Sequence, residues 1–574
     1  MKSFLIGIFF LAANLFAQSP DPLTPARRIA DKIITETSFT FTEAEQKPAV
    51  DLQVIDFKRA FNKINGAYAY AFANILAHEN KILQFGISYS SPVKVLVNDR
   101  LIFTGKEQPQ FYFKEIAYAV FTFQDTFRVN LNKGLNKIVI ESPGGNEPVV
   151  YLREITGAEE RPLSKFLPAD SLIKNYTWPW CFYVTGNVNG EKLSADSLFD
   201  KITSDKYSCT VLKPAIIKKL FINSQNTFKK DSFADWNYPN GILMMTMAEL
   251  SSASGDKTYG EFVKKYCNFI KENLPRFKKQ YFEDHDLRGS FYRVFRKSML
   301  DDAGSPTLPF AEVELEEHGN EYDDLINEMA GYIVNGQAKL PDGTLCRPEP
   351  VEWTVWADDL FMSVPLLVRL GALHNDEKYF NEASKQLINF NKYLYDKTKK
   401  LYKHGWFSTT NKKSNVFWGR ANGWVVWATS EALKYIPKDN KSYKSIERIF
   451  VNHIEGILAT QDKSGMWHQV LNDNNSFEET SCTAMFIIGI SRGIMSGIVD
   501  KKYTVNILKA WNALQSKISS TGIVKDICCG TGIGPDKKFY ETRERYNNDP
   551  RGLGAVIAAA VEVDKLGKYI NKTK

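Results

Sequence analysis

The feature that most constrains the fold of this chain is a repeat in its C-terminal part. Strongly apolar segments with the length of a helix end in a short polar turn, and each turn is followed by Tyr. The turns lie at 254–259, 319–322, 375–379, 438–443 and 499–503. Their spacing of roughly 55 to 65 residues is the length of two helices with their loops. Each turn is therefore predicted to join the two helices of a hairpin.

The two helices of each predicted hairpin differ in composition. The segments before the turns are apolar and rich in small residues, whereas those after the turns are amphipathic. This difference predicts a layer of buried helices inside a layer of half-exposed ones. The buried segments are 241–252, 305–317, 360–373, 423–435, 483–497 and 552–565, and a helix around 214–223 is predicted as the remaining outer partner. Together these segments predict an all-α (α/α)6 toroid over 213–574.

The N-terminal part has another period. Short runs of alternating apolar and polar residues, such as 81–89 and 93–97, are separated by turn residues, among them Asn98-Asp99. This predicts a β-sandwich accessory domain over 18–156, joined to the toroid by an irregular connector at 157–212. Both a sugar-binding role and a purely packing role for this sandwich remain open. The predicted fold class is multidomain, with the β-sandwich first and the toroid second.

The first residues have the pattern of a secretory signal peptide. Lys2 precedes an apolar stretch, and small residues end at Ala17, so cleavage is predicted after residue 17. The apolar stretch is too short for a comfortable transmembrane span, and no later segment approaches one. The expectation is export to the periplasm or beyond the cell, with no membrane partner.

Charge and cysteine content exclude several functions. The 73 Lys and Arg against 66 Asp and Glu leave a net charge of +7, and the basic residues are scattered, so nucleic acid is not an expected partner. The seven cysteines show neither CxxC spacing nor nearby His pairs. The sequence therefore predicts no metal and no cofactor, and most of the cysteines are expected to be buried thiols.

The site is predicted where the inner helices begin. These helices run in one direction, so their N-terminal ends meet at one mouth. The residues just before them include Asp301, Asp302, Asp358, Asp359 and Arg420, with several aromatic residues. Carboxylates, aromatic rings and an Arg suit acid–base chemistry on a sugar, provided that burial or a neighbouring carboxylate raises one pKa. The Trp-rich surroundings favour Asp358 as the acid, and helix capping is the competing role for Asp302 and Asp359.

Several ordered motifs resemble those of glycoside hydrolase family 105, the unsaturated rhamnogalacturonyl and glucuronyl hydrolases. The motifs lie at 356–365, 402–406, 417–424, 465–469 and 529–532, and the resemblance covers about 235–563. It implies an (α/α)6 enzyme that removes a 4,5-unsaturated uronic acid from the non-reducing end of rhamnose-containing oligosaccharides. Such oligosaccharides are released by polysaccharide lyases from ulvan or rhamnogalacturonan. The implied reaction protonates the enol ether at C4 and adds water at C5, unlike ordinary glycoside hydrolysis.

The resemblance also implies roles for particular residues. Asp358 matches the general acid and base, and Asp301 matches a second carboxylate that positions water or substrate, although Asp302 is the alternative. The matched substrate-binding residues are His404, Trp418, Arg420 and Trp424. An Arg can pair with a uronate carboxylate, and a Trp face can stack on the planar ring. A loop role for His404 and core packing for the two Trp are the alternatives. His468 and Trp467 are weaker candidates.

Two other classes of function remain open from the sequence. One is another enzyme on the same toroid, such as an inverting glycosidase, a uronate lyase or a sugar epimerase. The other is a glycan-binding protein without catalysis. The sequence does not distinguish ulvan from rhamnogalacturonan as the source of substrate, because the unsaturated uronate has lost its C4 stereocentre.

Overall fold

The computed structural model describes residues 21–47, 51–61, 68–106, 111–115, 121–142, 148–156, 162–170, 178–185, 193–201, 218–223, 232–348, 351 and 353–572. The predicted signal peptide at 1–17 and Cys209 lie outside these residues. The described residues form two compact units. The toroid unit comprises the described parts of Met1–Phe41, Ile222–Phe277 and Arg293–Lys574, and the sandwich unit those of Thr42–Phe221 and Lys278–Tyr292.

The toroid unit contains an inner and an outer series of helices. The inner helices are α2 (Tyr238–Ser254), α4 (Gly304–Glu317), α6 (Val364–His374), α8 (Gly419–Tyr435), α10 (Thr480–Met495) and α12 (Pro550–Lys572). The outer helices are α1 (Leu23–Glu36), α3 (Lys257–Phe282), α5 (Asp323–Gly331), α7 (Glu377–Leu394), α9 (Tyr443–Leu458) and α11 (Thr504–Gln515). Each inner helix packs against the next, and α12 packs back against α2, which closes the ring. The predicted (α/α)6 toroid is confirmed.

The outer partner of the last inner helix is not the one predicted. Helix α1 packs on α12, and its buried residues Leu23, Ala26, Ile29, Ala30 and Ile33 follow the helical period. The prediction of a helix around 214–223 is wrong, because Lys218–Ile222 form a β-strand. The sandwich was predicted to begin at residue 18, whereas the described residues up to Phe41 belong to the toroid unit, because α1 packs on α12.

The turns of the repeat end the inner helices in a left-handed conformation. Helix α2 ends at Gly255 with φ 72°, α4 at His318 with φ 53°, and α6 at Asn375 with φ 48°. In each case the backbone N–H of that residue closes the last turn. After Asn375, the Asp376 side chain accepts a hydrogen bond from the N–H of Lys378 and caps α7. These paired caps explain why the same polar turn recurs along the sequence.

The sandwich unit is built from two main antiparallel sheets. Its strands are β1 (Phe41–Glu45), β2 (Gln53–Asp56), β3 (Ala69–Ala77), β4 (Lys81–Tyr89), β5 (Val93–Val97), β6 (Arg100–Gly105), β7 (Phe113–Glu115), β8 (Phe121–Phe123), β9 (Asp125–Leu131), β10 (Gly134–Ser142), β11 (Val149–Glu154), β12 (Lys165–Leu167), β13 (Cys181–Val184) and β14 (Lys218–Ile222). One sheet has the order β12-β3-β10-β5-β6, with β13 also on β3, and the other has the order β2-β11-β4-β9. Strands β1 and β14 pair separately, as do β7 and β8.

The two main sheets of the sandwich unit share one core. Ala71 and Ile140 from the larger sheet are buried in the same cluster as Phe85 and Phe127 from the smaller one. Strand β9 alternates buried and exposed residues, as its sequence predicts. Asn98 and Asp99 both have positive φ angles, 48° and 64°, at the tight turn between β5 and β6. The predicted β-sandwich is confirmed.

Shorter elements occupy the connections. The short helical segments are Phe57–Phe61, Ala195–Asp200, Tyr292–Arg296, Leu300–Asp302, Tyr332–Gly336, Ala357–Leu360, Lys501–Tyr503 and Lys537–Glu541. The loops of the toroid unit carry short strands at Thr354–Trp356, Tyr395–Asp396, Leu401–Tyr402, Gly405–Phe407, Lys412–Lys413, Ile527–Cys528 and Arg545–Tyr546. Within the described residues, no helix is both long and apolar enough to cross a membrane.

Candidate active site

Asp358 and His404 are brought together by a small sheet before α6. The strand Thr354–Trp356 pairs with Gly405–Phe407, and the N–H of Ala357 donates to the carbonyl of His404 at 2.9 Å. The chain then turns through Ala357–Leu360, which places Asp358 Oδ2 3.2 Å from His404 Nε2. The Asp358 side chain keeps 17% of its surface exposed, whereas His404 is fully buried. Asp358 is thus reachable from solvent on a rigid support.

The electrostatic surroundings of Asp358 differ from the prediction. Burial on its own would raise the pKa of Asp358, but His404, together with Arg347 and Arg420, lowers that pKa below its usual value. The Trp-rich surroundings therefore do not make Asp358 the more protonated carboxyl. In the free protein Asp358 is an ionised carboxylate that can accept a proton.

Asp301 has the opposite shift. It lies in the turn Leu300–Asp302 before α4, and its Oδ1 accepts from Arg347 Nη2 at 3.0 Å. Burial raises the pKa of Asp301 to about 6 despite that ion pair, with the negative charges of Asp359, Asp302 and Asp358 adding to the effect. The side chain remains 20% exposed. Asp301 is therefore a partly exposed carboxyl that holds a proton at mildly acidic pH.

The neighbouring carboxylates, Asp302 and Asp359, are held in buried ion pairs. Asp302 accepts from Arg296 at 2.6 and 3.0 Å and from the N–H of Ser298 at 3.0 Å. Asp359 accepts from Arg347 Nε at 3.0 and 3.1 Å. Neither side chain caps a helix, so the predicted capping role is wrong. Since Asp302 is fully paired and buried, the geometry favours Asp301 as the second carboxylate of the mouth.

Arg347 is a site residue that the sequence did not reveal. It is buried, ion-paired to Asp301 and Asp359, and lies over the ring of Trp356 at 4.6 Å from the centroid. A backbone bridge between Arg347 and Thr354 brings it beside the Asp358 turn. A lone Arg in an irregular loop carries no spacing signal. Only the pairing of this loop with the strand before Asp358 brings Arg347 to the mouth.

His404 forms a hydrogen bond at one ring nitrogen and lies close to Asp358 at the other. Nδ1 lies 2.8 Å from the hydroxyl of Tyr540, and Nε2 faces Asp358. The ring also contacts Trp418 at a centroid distance of 4.5 Å and Trp356 at 5.6 Å. The histidine predicted as a substrate-binding residue therefore lies at the mouth, where it contacts the candidate catalytic carboxylate directly.

Arg420 lies at the predicted place but has other partners. Its Nη1 donates to the carbonyl of Cys528 at 2.6 Å, and its Nη2 donates to the carbonyl of Cys529 at 2.5 Å. The side chain is 1% exposed. Its guanidinium thus holds the Cys528-Cys529 segment of the last loop, and the geometry does not support the predicted pairing with a substrate carboxylate.

Trp418 and Trp424 are packed in the interior. Trp418 is buried and donates through Nε1 to Gln469 Oε1 at 3.1 Å. Trp424 lies between Phe361 and Trp427, with centroid distances of 4.9 and 6.1 Å. The core-packing alternative therefore describes both rings better than the predicted stacking on substrate. Trp356 is the better aromatic candidate, because its buried Nε1 has no hydrogen-bond partner among the described residues.

The two weaker candidates are also interior residues. Trp467 is buried and donates through Nε1 to the carbonyl of Ile457 at 2.8 Å. His468 lies between the carbonyl of Ser476, 2.5 Å from Nδ1, and Asp462, 3.4 Å from Nε2. Both support the loop before α10.

Arg551 is a partly exposed cation at the mouth. It lies in the first turn of α12, its Nη1 donates to Asp549 at 3.0 and 3.1 Å, and its side chain also interacts with Tyr238. The side chain is 25% exposed. A Cβ on Gly530 would lie 3.1 Å from the guanidinium, so the absence of a side chain there leaves the cation accessible. The start of a long helix adds positive potential at this point.

The described residues contain no cluster of three or more His, Cys, Asp or Glu side chains placed to hold a metal ion. The six cysteines among the described residues, Cys181, Cys267, Cys346, Cys482, Cys528 and Cys529, are all buried. The described side chains of the mouth thus offer carboxylates, guanidinium groups, an imidazole and indole rings.

Comparison with known proteins places this geometry in a family. Residues 216–567 match the model of Glycosyl Hydrolase Family 88. The chain is 26% identical over 353 residues to the unsaturated rhamnogalacturonyl hydrolase YesR of Bacillus subtilis, covering 60% of this chain and 94% of that protein. It is 30% identical over 226 residues to an unsaturated 3S-rhamnoglycuronyl hydrolase of Formosa agariphila, covering 37% of this chain and 58% of that protein.

Solved structures agree on the fold. A Salmonella enterica protein described as a possible member of the GH105 family superposes with a TM-score of 0.51 at 22% identity, covering 60% of this chain and 86% of that one. A family 105 glycoside hydrolase of C. acetobutylicum gives a TM-score of 0.50 at 22% identity, covering 58% and 94%. At these identities the likeness concerns the fold alone.

The family match, together with the toroid and the carboxylates at its mouth, defines the class of protein, a glycan-processing hydrolase of the (α/α)6 type. The family model covers more than half of the chain. The chain belongs to Glycosyl Hydrolase Family 88, and the resemblance to glycoside hydrolase family 105 is confirmed by its relatives and structural neighbours.

Proposed function

We propose that this protein removes a 4,5-unsaturated uronic acid from the non-reducing end of rhamnose-containing oligosaccharides by hydrating the enol ether double bond. The observation that carries the proposal is the pair Asp358 and Asp301, two partly exposed carboxyl groups before neighbouring inner helices, one beside His404 and the other on Arg347. These surroundings shift their pKa values in opposite directions. Opposite shifts in neighbouring carboxyl groups are typical of an acid and a base that act together. The relatives named for unsaturated uronyl hydrolysis support the same reaction.

The reaction needs one proton and one water molecule. A proton goes to C4 of the unsaturated ring and a hydroxyl from water goes to C5, which gives a hemiketal. The hemiketal opens to a ketone at C5, and the hemiacetal left at C1 collapses to an aldehyde and releases the rest of the oligosaccharide. No nucleophile of the protein is required, in contrast to retaining glycosidases.

The pKa shifts assign one half of this chemistry to each carboxyl group. Asp301, with its pKa raised to about 6, is the proton donor to C4. Asp358, kept ionised beside His404, is the base that takes a proton from the attacking water. This division differs from the single acid–base Asp358 that the family resemblance implies. The charge of Arg347 acts on both groups, because its guanidinium pairs with Asp301 and helps to lower the pKa of Asp358.

Arg551 is the proposed receptor for the uronate carboxylate. Arg420 donates to two backbone carbonyls, and Arg347 pairs with Asp301 and Asp359. Arg551 instead pairs with Asp549 through one nitrogen, also interacts with Tyr238, and is partly exposed beside Gly530. A guanidinium in that position can bind a planar carboxylate through two parallel hydrogen bonds.

We propose rhamnose-linked unsaturated uronates as the class of substrate. Relatives of this chain are named for both rhamnogalacturonyl and 3S-rhamnoglycuronyl hydrolysis. The unsaturated uronate is common to both sources, so the aglycone must decide between them. Export by the leader at 1–17 to the periplasm or outside the cell fits a role after secreted lyases, and N-terminal sequencing of the mature protein tests it.

The experiment is a screen of the purified protein against lyase digests of ulvan and of rhamnogalacturonan, followed by the ultraviolet absorbance of the enol ether. Loss of absorbance in either digest supports the proposal. Lack of loss in both, or release of sugar from saturated oligosaccharides at the same rate, contradicts it. Release of sugar from saturated oligosaccharides would indicate an inverting glycosidase on the same toroid.

A further inference from the structure

We propose that Tyr540 is a positioning residue that fixes the proton on His404 so that the Nε2–H faces Asp358. Tyr540 lies in the short helix Lys537–Glu541, in the loop between α11 and α12, and no motif of the sequence pointed to it. Its side chain is fully buried. The role of Asp358 as a base rests on the proposed function, whereas the tautomer of His404 does not.

The hydrogen bonds around the Tyr540 hydroxyl indicate where its proton points. The backbone N–H of Gly534 donates to this hydroxyl at 3.0 Å. An amide N–H can only donate, so the oxygen of Tyr540 is its acceptor. Among the described residues, His404 Nδ1, at 2.8 Å, is the remaining partner of this hydroxyl and can accept its single proton, so we assign the phenol proton to that hydrogen bond. Burial raises the pKa of Tyr540, so the hydroxyl keeps this proton.

A neutral imidazole that accepts at Nδ1 carries its proton at Nε2. In this structure Nε2 lies 3.2 Å from Asp358 Oδ2. The chain from the Gly534 N–H through Tyr540 and His404 therefore ends in a donor that faces the ionised form of Asp358. Without the Tyr540 hydroxyl the imidazole could carry its proton on either nitrogen, and the form with Nδ1–H would present a lone pair to the carboxylate.

Several contacts fix the loop that carries Tyr540 and so hold its hydroxyl next to His404. Asp536 accepts from the N–H of Phe539 at 2.9 Å and caps the short helix. Lys537 pairs with Asp473 at 2.6 Å, and the amide of Gln469 donates to the carbonyl of Tyr540 at 3.3 Å. A Cβ on Gly534 would lie 2.0 Å from the ring of Phe539, so a larger residue at this position would have to displace that ring.

Other charges act on the same carboxylate and must be kept constant in a test. Arg347 and Arg420 act on Asp358 from the positive side. Asp301 and Asp359 are its negative neighbours, and Tyr540 itself is sensitive to the charge of Asp358. A Tyr540→Phe substitution removes one hydroxyl and changes none of these charges.

The test combines a tautomer measurement with a pH profile. The full-length protein is labelled with 15N-histidine, and the ring signals of His404, one of seven histidines, are assigned with His404→Gln. We expect a protonated Nε2 and an unprotonated Nδ1 in the wild-type protein. A proton on Nδ1 of the neutral ring would overturn the proposal, and this measurement needs neither a Tyr540 variant nor any activity.

The pH profile tests the consequence for Asp358. In Tyr540→Phe we expect the acid limb of kcat/KM to move to higher pH by about one unit, with KM nearly unchanged, because one neutral hydrogen bond is lost. The matched control is Tyr402→Phe, a buried tyrosine that donates to Asn391 at 2.8 Å. An acid limb that moves equally in both variants, or in neither, would overturn the proposal. If no unsaturated uronate is a substrate, the proposed function fails, and the tautomer alone decides the role of Tyr540.

Discussion

The two ends of the toroid unit both bury charged residues, but they balance them differently. In the C-terminal halves of the inner helices, Arg369 pairs with Glu312 at 2.5 Å and with Glu431 at 2.9 Å. Arg492 pairs with Glu431, with Glu562 at 3.1 Å and with Glu249 at 3.4 Å. This cluster, here called the floor network, is almost closed to solvent. Its arginines lower the pKa of Glu431 and Glu562 against the effect of burial, whereas burial raises the pKa of Glu249, whose contact with Arg492 is the longest in the network.

The mouth leaves part of its charge unbalanced. Asp302 and Asp359 have close guanidinium partners, whereas Asp301 shares Arg347 with Asp359 and keeps a raised pKa. Asp358 is kept ionised mainly by a histidine. The comparison indicates that buried ion pairs at the floor hold helices together, while the incompletely paired carboxyl groups at the mouth are available for proton transfer.

The largest expected effect is on turnover at the mouth. Asp358→Asn keeps the shape of the side chain but removes the base, so we expect kcat to fall by about 10²–10⁴-fold with the unfolding temperature nearly unchanged. The rate of absorbance loss and a thermal melt measure the two quantities. Activity equal to that of the wild type would remove Asp358 from the mechanism.

A substitution in the floor network should lower stability and leave turnover unchanged, the reverse of Asp358→Asn. Glu431→Gln leaves Arg369 and Arg492 without their shared carboxylate, and we expect a loss of about 3–5 kcal/mol in the free energy of unfolding. The kcat of the folded fraction should not change. The control is Glu447→Gln at the exposed Lys444–Glu447 pair, where we expect at most about 0.5 kcal/mol. Denaturant titration compares the two, and an equal, small loss would contradict the contrast between floor and mouth.

Arg551 and Arg420 are expected to differ in their effect on substrate affinity. We expect Arg551→Met to raise KM for an unsaturated uronate by about 10- to 100-fold, because a charge-assisted pair is lost. The KM of Arg551→Lys should lie between those of the wild type and of Arg551→Met. Arg545→Met, which changes an exposed Arg near the same loop, is the control.

By contrast, Arg420→Ala should lower the unfolding temperature, since its carbonyl partners are left buried and unpaired. A large KM increase in Arg420→Ala with no change in Arg551→Met would reverse the assignment.

The smallest effect is a shift in the pH profile. Activity requires protonated Asp301, so kcat/KM should fall as the pH rises above about 6, the raised pKa of that group. It should also fall at low pH, below the usual range of an aspartate, as Asp358 takes up a proton. Replacing Arg347 by Met removes the positive charge beside Asp301 and should move the basic limb to higher pH. A basic limb that does not move would assign it to another group.

Much of the fold was accessible from the sequence because helix and strand periods are local. The polar turns marked the ends of α2, α4 and α6, and the strands β4 and β5 lie at the predicted positions. The outer partner α1 was missed because its ring neighbour, α12, is more than 500 residues away in the chain. Only three-dimensional closure of the ring pairs these two helices.

For the site, the sequence located the mouth but not the partners of each side chain. Asp358 and Asp301 lie before inner helices, as the sequence predicted, and His404, which the family resemblance alone indicated, lies beside Asp358. Arg420 matched the expected position, yet its hydrogen bonds go to carbonyls of a distant loop. Arg347 and Tyr540 come from irregular loops, so no period or spacing marked them. A residue type in a sequence does not reveal whether its hydrogen bonds are already satisfied within the fold.

The most direct test of the account is a parallel assay on one disaccharide in its unsaturated and saturated forms. For the unsaturated uronyl-rhamnose, we expect loss of the enol ether absorbance and release of rhamnose in equal amounts. For the saturated form we expect neither signal. Release of rhamnose from the saturated disaccharide at a comparable rate, or release from the unsaturated one while its absorbance persists, would contradict hydration of the double bond as the reaction of this protein.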